Sequence, residues 1–246
     1  KNSKQPIIIS GGGVLYSEAE QELSKFAKKH NIPVTSTVMG IGCMTKDDPY
    51  YISAVGALGE GSSNSLSKDT DLALAIGTKL ADFTTGSWAN FENPNFKLVS
   101  VNTARYDTTK HLATPVISDA KVGLQKTSEA LGDWKAPDDW YKRAIKEKNE
   151  WDAYVEKQSG PTNQEEPSYA HAVGAVYRNS DPSDIVVTAA GGLVGEVVQV
   201  WKPKQLNTFE TEWGFSCMGY EISGALGIKM AKPDQDVVVF VGDGSY

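Results

Sequence analysis

The chain has 246 residues, 40% hydrophobic and 22% charged, with a formal net charge of −7. That length leaves room for two domains, and the acidic balance argues against nucleic acid, which selects clustered Lys and Arg. No apolar run is long enough to span a bilayer, and the start does not read as a signal peptide, so a membrane partner is not expected.

In chain order, Ile7 to Ile9 reads as a strand and Gly11 to Gly13 as a turn. Ser17 reads as the N-cap of a helix carrying Ala19, Leu23, Phe26 and Ala27 on one face. Asn31 suits a left-handed C-cap, with Pro33 following it. Pro33–Thr37, Leu72–Ile76 and Leu98–Val101 read as further strands. This alternation predicts an α/β fold: a Rossmann-like parallel sheet with helices on both faces.

From Gly132 to Pro167 the character changes. Trp140, Ala144, Trp151 and Tyr154 recur among Lys142, Arg143, Lys146, Glu147, Lys148, Glu150 and Asp152, as in a charged amphipathic helix. Ser159 to Pro167 has the composition of a linker. These shifts divide the chain into a first α/β domain (1–131), a helical linker (132–167) and a second α/β unit (168–246).

In that unit a helix is expected over Ser168–Arg178, a strand over Ile185–Thr188, a turn at Ala190–Gly192 and a helix over Val194–Trp201. A last helix carries Met218, Ile222, Leu226 and Met230 at four-residue spacing and is stopped by Pro233. Val237 to Val241 reads as a buried strand leading into Gly242-Asp-Gly-Ser245. So few strands make this unit look truncated.

Cys43 and Cys217 stand far apart in unlike contexts, which suits free thiols in a reducing cytoplasm. His30, His111 and His171 lack metal-ligand spacing and read as surface or helix-face residues. Gly11 to Gly13 fails the dinucleotide fingerprint: its third glycine would fall on Tyr16, and no acidic residue closes the strand at Val34–Thr37. These glycines are read as a tight strand-to-helix turn.

Gly191-Gly192 and Gly242-Asp-Gly244 differ from that turn. Each follows a core strand of one α/β unit, so both open on the same sheet edge. The helix after Gly192 would aim its first amides at an anion. Asp243 is a single carboxylate that suits Mg²⁺ sharing its shell with phosphate oxygens and water. The flanking glycines let backbone approach a ligand, and Ser245 offers an N–H at the same turn.

Gly214-Phe-Ser-Cys-Met-Gly-Tyr-Glu-Ile-Ser-Gly-Ala-Leu-Gly227, followed by Val241-Gly-Asp-Gly-Ser245, resembles the cofactor-binding domain of thiamine diphosphate enzymes. Pro6–Gly13 through Ala75–Phe83 resembles that family's Rossmann-like middle domain. More narrowly, Glu212–Glu221 and Thr188–Leu193 are similar to members that open a cyclic dione by carbon–carbon hydrolysis in inositol breakdown.

The resemblance implies thiamine diphosphate and Mg²⁺ as cofactors, with Asp243 on the metal. Gly244 and Ser245 would give backbone contacts to the diphosphate, and Gly191, Gly192 and Leu193 would form its second loop. Met218 would lie beneath the cofactor, with Ser216 and Met218 presenting backbone groups to the aminopyrimidine. Outside that context Met218 would read as a core methionine.

The implied substrate is a small cyclic dione opened to a deoxy-glucuronate, and the implied assembly is a homodimer or homotetramer. The activating glutamate and a second, asparagine metal ligand would lie outside this chain. The segment alone is therefore expected to bind cofactor poorly and to catalyse nothing. An acetolactate synthase-like or malonic semialdehyde decarboxylase-like member is the alternative, against which Ser223 counts because those members tend to carry proline there. A non-catalytic nucleotide-binding module is the alternative from another class.

Overall fold

A computed structural model describes residues 1–246, which divide into two compact units, Lys1–Trp151 and Asp152–Tyr246. The first unit holds six strands: β1 (Pro6–Ser10), β2 (Val34–Ser36), β3 (Tyr51–Ala54), β4 (Leu72–Ile76), β5 (Lys97–Asn102) and β6 (Thr114–Ile117). They form one parallel sheet in the order β3-β2-β1-β4-β5-β6. This is the doubly wound order, in which the chain starts at the centre and grows outward in both directions. The expected α/β class therefore stands.

Side chains alternate across a strand, so Ile7, Ile8 and Ile9 of β1 serve two layers. Ile8 packs with Val14, Leu23, Phe26 and Leu124 on one face. Ile7 and Ile9 pack with Leu66, Leu80, Trp140 and Ala144 on the other. All three are fully buried, as a parallel sheet covered on both sides requires.

The helices of this unit are α1 (Gly12–Tyr16), α2 (Glu20–His30), α3 (Gly61–Asp69), α4 (Asp82–Thr85), α5 (Arg105–Thr109), α6 (Ala120–Leu131) and the first part of α7 (Asp138–Ser159). Asn31 closes α2 at φ 56°, as expected. Ser17 does not cap that helix. Ala19 is the N-cap of α2, and the Ser17 hydroxyl instead donates to Asp119, itself the N-cap of α6.

The Gly11–Gly13 segment is mostly the first turn of α1 rather than a free loop. A Cβ on Gly13 would come 2.5 Å from the Cα of Gly77, so close loop-to-loop packing requires glycine there. Strands β3 and β6 lie outside the sequence reading. β6 is an edge strand containing Pro115, a position where a missing N–H is tolerated.

His30 lies on a helix face, as expected, but it is fully buried. Its Nδ1 sits 2.7 Å from the carbonyl of Trp134 and its Nε2 2.9 Å from Ser128 Oγ. A neutral ring satisfies both partners by donating from Nδ1 and accepting at Nε2. Burial pushes its pKa below the ordinary value of 6.5. The unfolded chain then takes up this proton at a higher pH than the folded one, so acidification favours unfolding. Folding stability is expected to fall as pH drops below about 6.5, and His30→Gln should flatten that part of a stability-against-pH curve from urea titrations. An unchanged slope would count against it.

The second unit holds β7 (Ile185–Thr188), β8 (Phe209–Thr211) and β9 (Val237–Val239) in a parallel sheet, with β7 at the centre. Its helices are α8 (Tyr169–Asn179), α9 (Leu193–Val200) and α10 (Tyr220–Ala231). Ser168 and His171 form a capping box at the start of α8. α10 meets the sheet through Tyr220, Ala225 and Ile228, which pack with Ile185, Val187 and Val237.

Two expectations need correcting here. The last helix does not carry Met218: α10 begins at Tyr220, and Met218, Ile222, Leu226 and Met230 are 67, 43, 62 and 76% exposed. The strand at Val237 is half-buried rather than buried, because β9 is an edge of the sheet. No helix of the structure is long and apolar enough to cross a membrane.

Candidate functional site

Three parallel strands end at the same edge of the second sheet, and three loops leave from there. Residues 189–192 follow β7, residues 212–219 follow β8, and residues 240–245 follow β9. In open parallel sheets, ligands settle outside the carboxyl ends of the strands.

In the first loop Gly191 adopts φ +83°, a left-handed conformation that suits glycine. A Cβ added at Gly191, Gly192 or Gly242 would meet nothing within 4 Å, so these turns border open space. No side chain caps the N-terminus of α9, which begins at Leu193. Its first-turn amides are therefore not taken by a side-chain cap and suit an anion.

The second loop is held by two carboxylates that the sequence reading did not single out. Glu212 accepts from the amides of Phe215 at 2.8 Å and Cys217 at 2.7 Å. The bond from Cys217 N–H, followed by that from Phe215, holds its carboxyl below the usual carboxylate range. The same carboxylate, through its bond to the thiol, pushes Cys217 up, so this exposed cysteine is not primed as a nucleophile.

Glu221, fully buried, accepts from Gly219 N–H at 3.0 Å and from Ala190 N–H at 3.1 Å. Its only sequence signal is a carboxylate in the first turn of a helix, where the macrodipole favours it. Burial and the reach to Ala190 emerge only with the fold.

Ser216 sits at φ +53° and its hydroxyl lies 3.4 Å from the carbonyl of Ala189. Left-handed backbone in a non-glycine residue must be held in place by its surroundings, here by bonds to Glu212 on both sides of it.

The third loop is a single 3₁₀ turn, Asp243–Ser245. Asp243 is exposed, and its Oδ1 accepts from Gly244 N–H at 2.9 Å. Ser245 is buried and donates its N–H to Gly242 at 3.0 Å. Met218 is brought to this turn: its Sδ lies 3.8 Å from where a Gly244 Cβ would stand. Gly219 approaches the Ser245 carbonyl in the same way.

The fold therefore gathers Met218, Gly244 and Ser245 at one place. Through Ser216 and Glu221 it ties the Met218 loop to the turn that runs into Gly191, Gly192 and Leu193. No group of three or more His, Cys, Asp or Glu side chains is arranged to hold a metal. The donor set at this edge is one exposed carboxylate beside glycine backbone that borders open space, which fits an ion delivered with a diphosphate rather than a self-sufficient metal centre.

Residues 1–127 match the thiamine pyrophosphate enzyme central domain, and residues 189–246 match the C-terminal TPP binding domain of the same enzymes. The chain belongs to the thiamine pyrophosphate enzyme family. Along its whole length it is 36% identical to the 3D-(3,5/4)-trihydroxycyclohexane-1,2-dione hydrolase of Clostridium tetani. It is 34% identical to the proteins of that name from Geobacillus thermodenitrificans and Clostridium perfringens. The chain spans 42% of the length of each of these relatives.

Proposed function

We propose that this chain is the central and cofactor-binding part of a thiamine diphosphate- and Mg²⁺-dependent hydrolase. Its substrate would be trihydroxycyclohexane-1,2-dione, opened between adjacent ring carbons to 5-deoxy-glucuronate. The reading is carried by one observation: three loops converge at the carboxyl edge of the β8-β7-β9 sheet, in a chain similar over its whole length to proteins with that activity in their name.

When bound, thiamine diphosphate supplies a nucleophilic carbon and an electron sink for breaking a bond next to a carbonyl. Asp243 would hold Mg²⁺, which neutralises the diphosphate. Gly191, Gly192 and Leu193 would surround that diphosphate with backbone amides, and Gly244 and Ser245 would border it from the other side. Met218 would support the two rings from below, with the Ser216 and Met218 backbone facing the aminopyrimidine. Holding the reacting groups in fixed geometry is the contribution such a scaffold makes to rate. The working assembly would be a cytoplasmic homodimer or homotetramer.

The test uses the full-length protein with Mg²⁺ and thiamine diphosphate, offered the cyclic dione or pyruvate. Ring opening with little pyruvate turnover is expected. Pyruvate consumption with no ring opening would move the assignment to a decarboxylase of the same family. Saturable NAD binding without thiamine diphosphate binding would overturn the enzyme reading.

A further inference from the structure

We infer that Glu221 is a positioning residue that fixes the spacing between the two loops cradling the cofactor; this rests on the cofactor reading given above. A carboxylate with no exposure must be satisfied within the protein. Both oxygens of Glu221 are met by backbone amides rather than by a cation, and the two bonds differ in what they accomplish.

The bond from Gly219 N–H is local. Gly219 is the N-cap of α10, and a first-turn carboxylate reaching back to it is ordinary helix capping. The bond from Ala190 N–H spans 31 positions and serves no helix. It anchors the backbone immediately before Gly191, Gly192 and Leu193, the segment read as the diphosphate loop. Ser216, whose hydroxyl faces the Ala189 carbonyl, supplies a second link between the same two loops.

Met218 lies between Cys217, held by Glu212, and Gly219, held by Glu221. The loop is thus pinned on both flanks of the residue that would support the rings, while the methionine itself stays exposed. Glu221 adds to this the shorter of the two bonds that set where the Met218 loop stands relative to the Gly191 turn.

Two variants of the full-length protein separate positioning from capping. Glu221→Asp keeps a carboxylate able to cap Gly219 but is one methylene shorter, so it loses Ala190. Glu221→Gln keeps the length but sets an amide N–H against one of the two donors. Titration with thiamine diphosphate at saturating Mg²⁺ should give an apparent dissociation constant raised about 10–100-fold in both, the range typical of groups that orient a metal ligand. The Asp variant, still capped, should keep a cofactor-free melting curve near that of the wild type. Raising the cofactor concentration should recover most of its kcat.

Cofactor affinity within twofold of wild type in a folded Asp variant would overturn the inference and leave Glu221 as a helix cap. So would an affinity loss that tracks only a fall in melting temperature. If the wild-type protein itself binds no thiamine diphosphate, the cofactor reading fails first.

Discussion

In the full-length protein, Asp243→Ala is expected to abolish Mg²⁺-dependent retention of thiamine diphosphate and to lower turnover more than about 100-fold. That exceeds the 10–100-fold loss usual for residues that merely support a metal ligand. Asp243 is the single carboxylate on this turn and the only acidic side chain the three loops leave exposed beside open glycine backbone. The substitution removes one accepted bond, from Gly244 N–H, at a cost to folding of about 1 kcal/mol. Loss of function should therefore arrive without unfolding. Asp243→Asn retains an oxygen for Gly244 but carries no charge, so it should fail like the alanine variant. Gel filtration with and without Mg²⁺, followed by cofactor assay of the protein peak, reads the result directly. Full turnover in Asp243→Ala would end the metal assignment.

The largest effect on stability is expected from Ile8→Ala. Ile8 has no exposure and sits on the central strand, opposite Val34 on one side and Leu74 on the other. It packs into the layer made by Val14, Leu23 and Phe26. Truncating a buried isoleucine forfeits its transfer energy and leaves a cavity the neighbours only partly fill, about 2–5 kcal/mol together. Leu112→Ala is the matched control: Leu112 is fully exposed, so its loss should stay within about 0.5 kcal/mol. Urea unfolding should show the midpoint of Ile8→Ala shifted with an unchanged slope. A change below 1 kcal/mol would mean that β1 is not the centre of the core.

The first unit was legible because its signals were local. An uninterrupted Ile7-Ile8-Ile9 run can be buried on both sides only in a covered parallel sheet, and Asn31 marks its helix end by its own backbone preference. Strand β3 was not, since Tyr51–Ala54 mixes polar and apolar residues with no alternation. Its pairing with β2 also carries a register shift. Ser17 was misplaced because a hydroxyl that suits a cap locally was claimed by Asp119, 102 positions away.

At the candidate site the glycines and Asp243 announced themselves through turn chemistry. Glu212 and Glu221 did not, because what distinguishes them is which distant amide each carboxylate reaches. The row of Met218, Ile222, Leu226 and Met230 shows what spacing alone leaves open. Four-residue spacing says that side chains share a stripe; it does not say which stripe the sheet takes. Tyr220, Ala225 and Ile228 took it.

The strand order of the first sheet has a kinetic consequence. Within this sheet β1 leaves the ribosome before its partners, yet its second neighbour, β4, begins only at Leu72. Until that segment emerges, three consecutive isoleucines have a partner along one edge only, through Ile8 and Ile9 opposite Val34 and Thr35. Non-local parallel pairings must absorb loop-closure entropy before they are rewarded, which places refolding of this unit toward the slow, millisecond-to-second end of the range. Nascent chains stalled before Leu72 should accordingly be protease-sensitive, and chains extended past Val101 resistant.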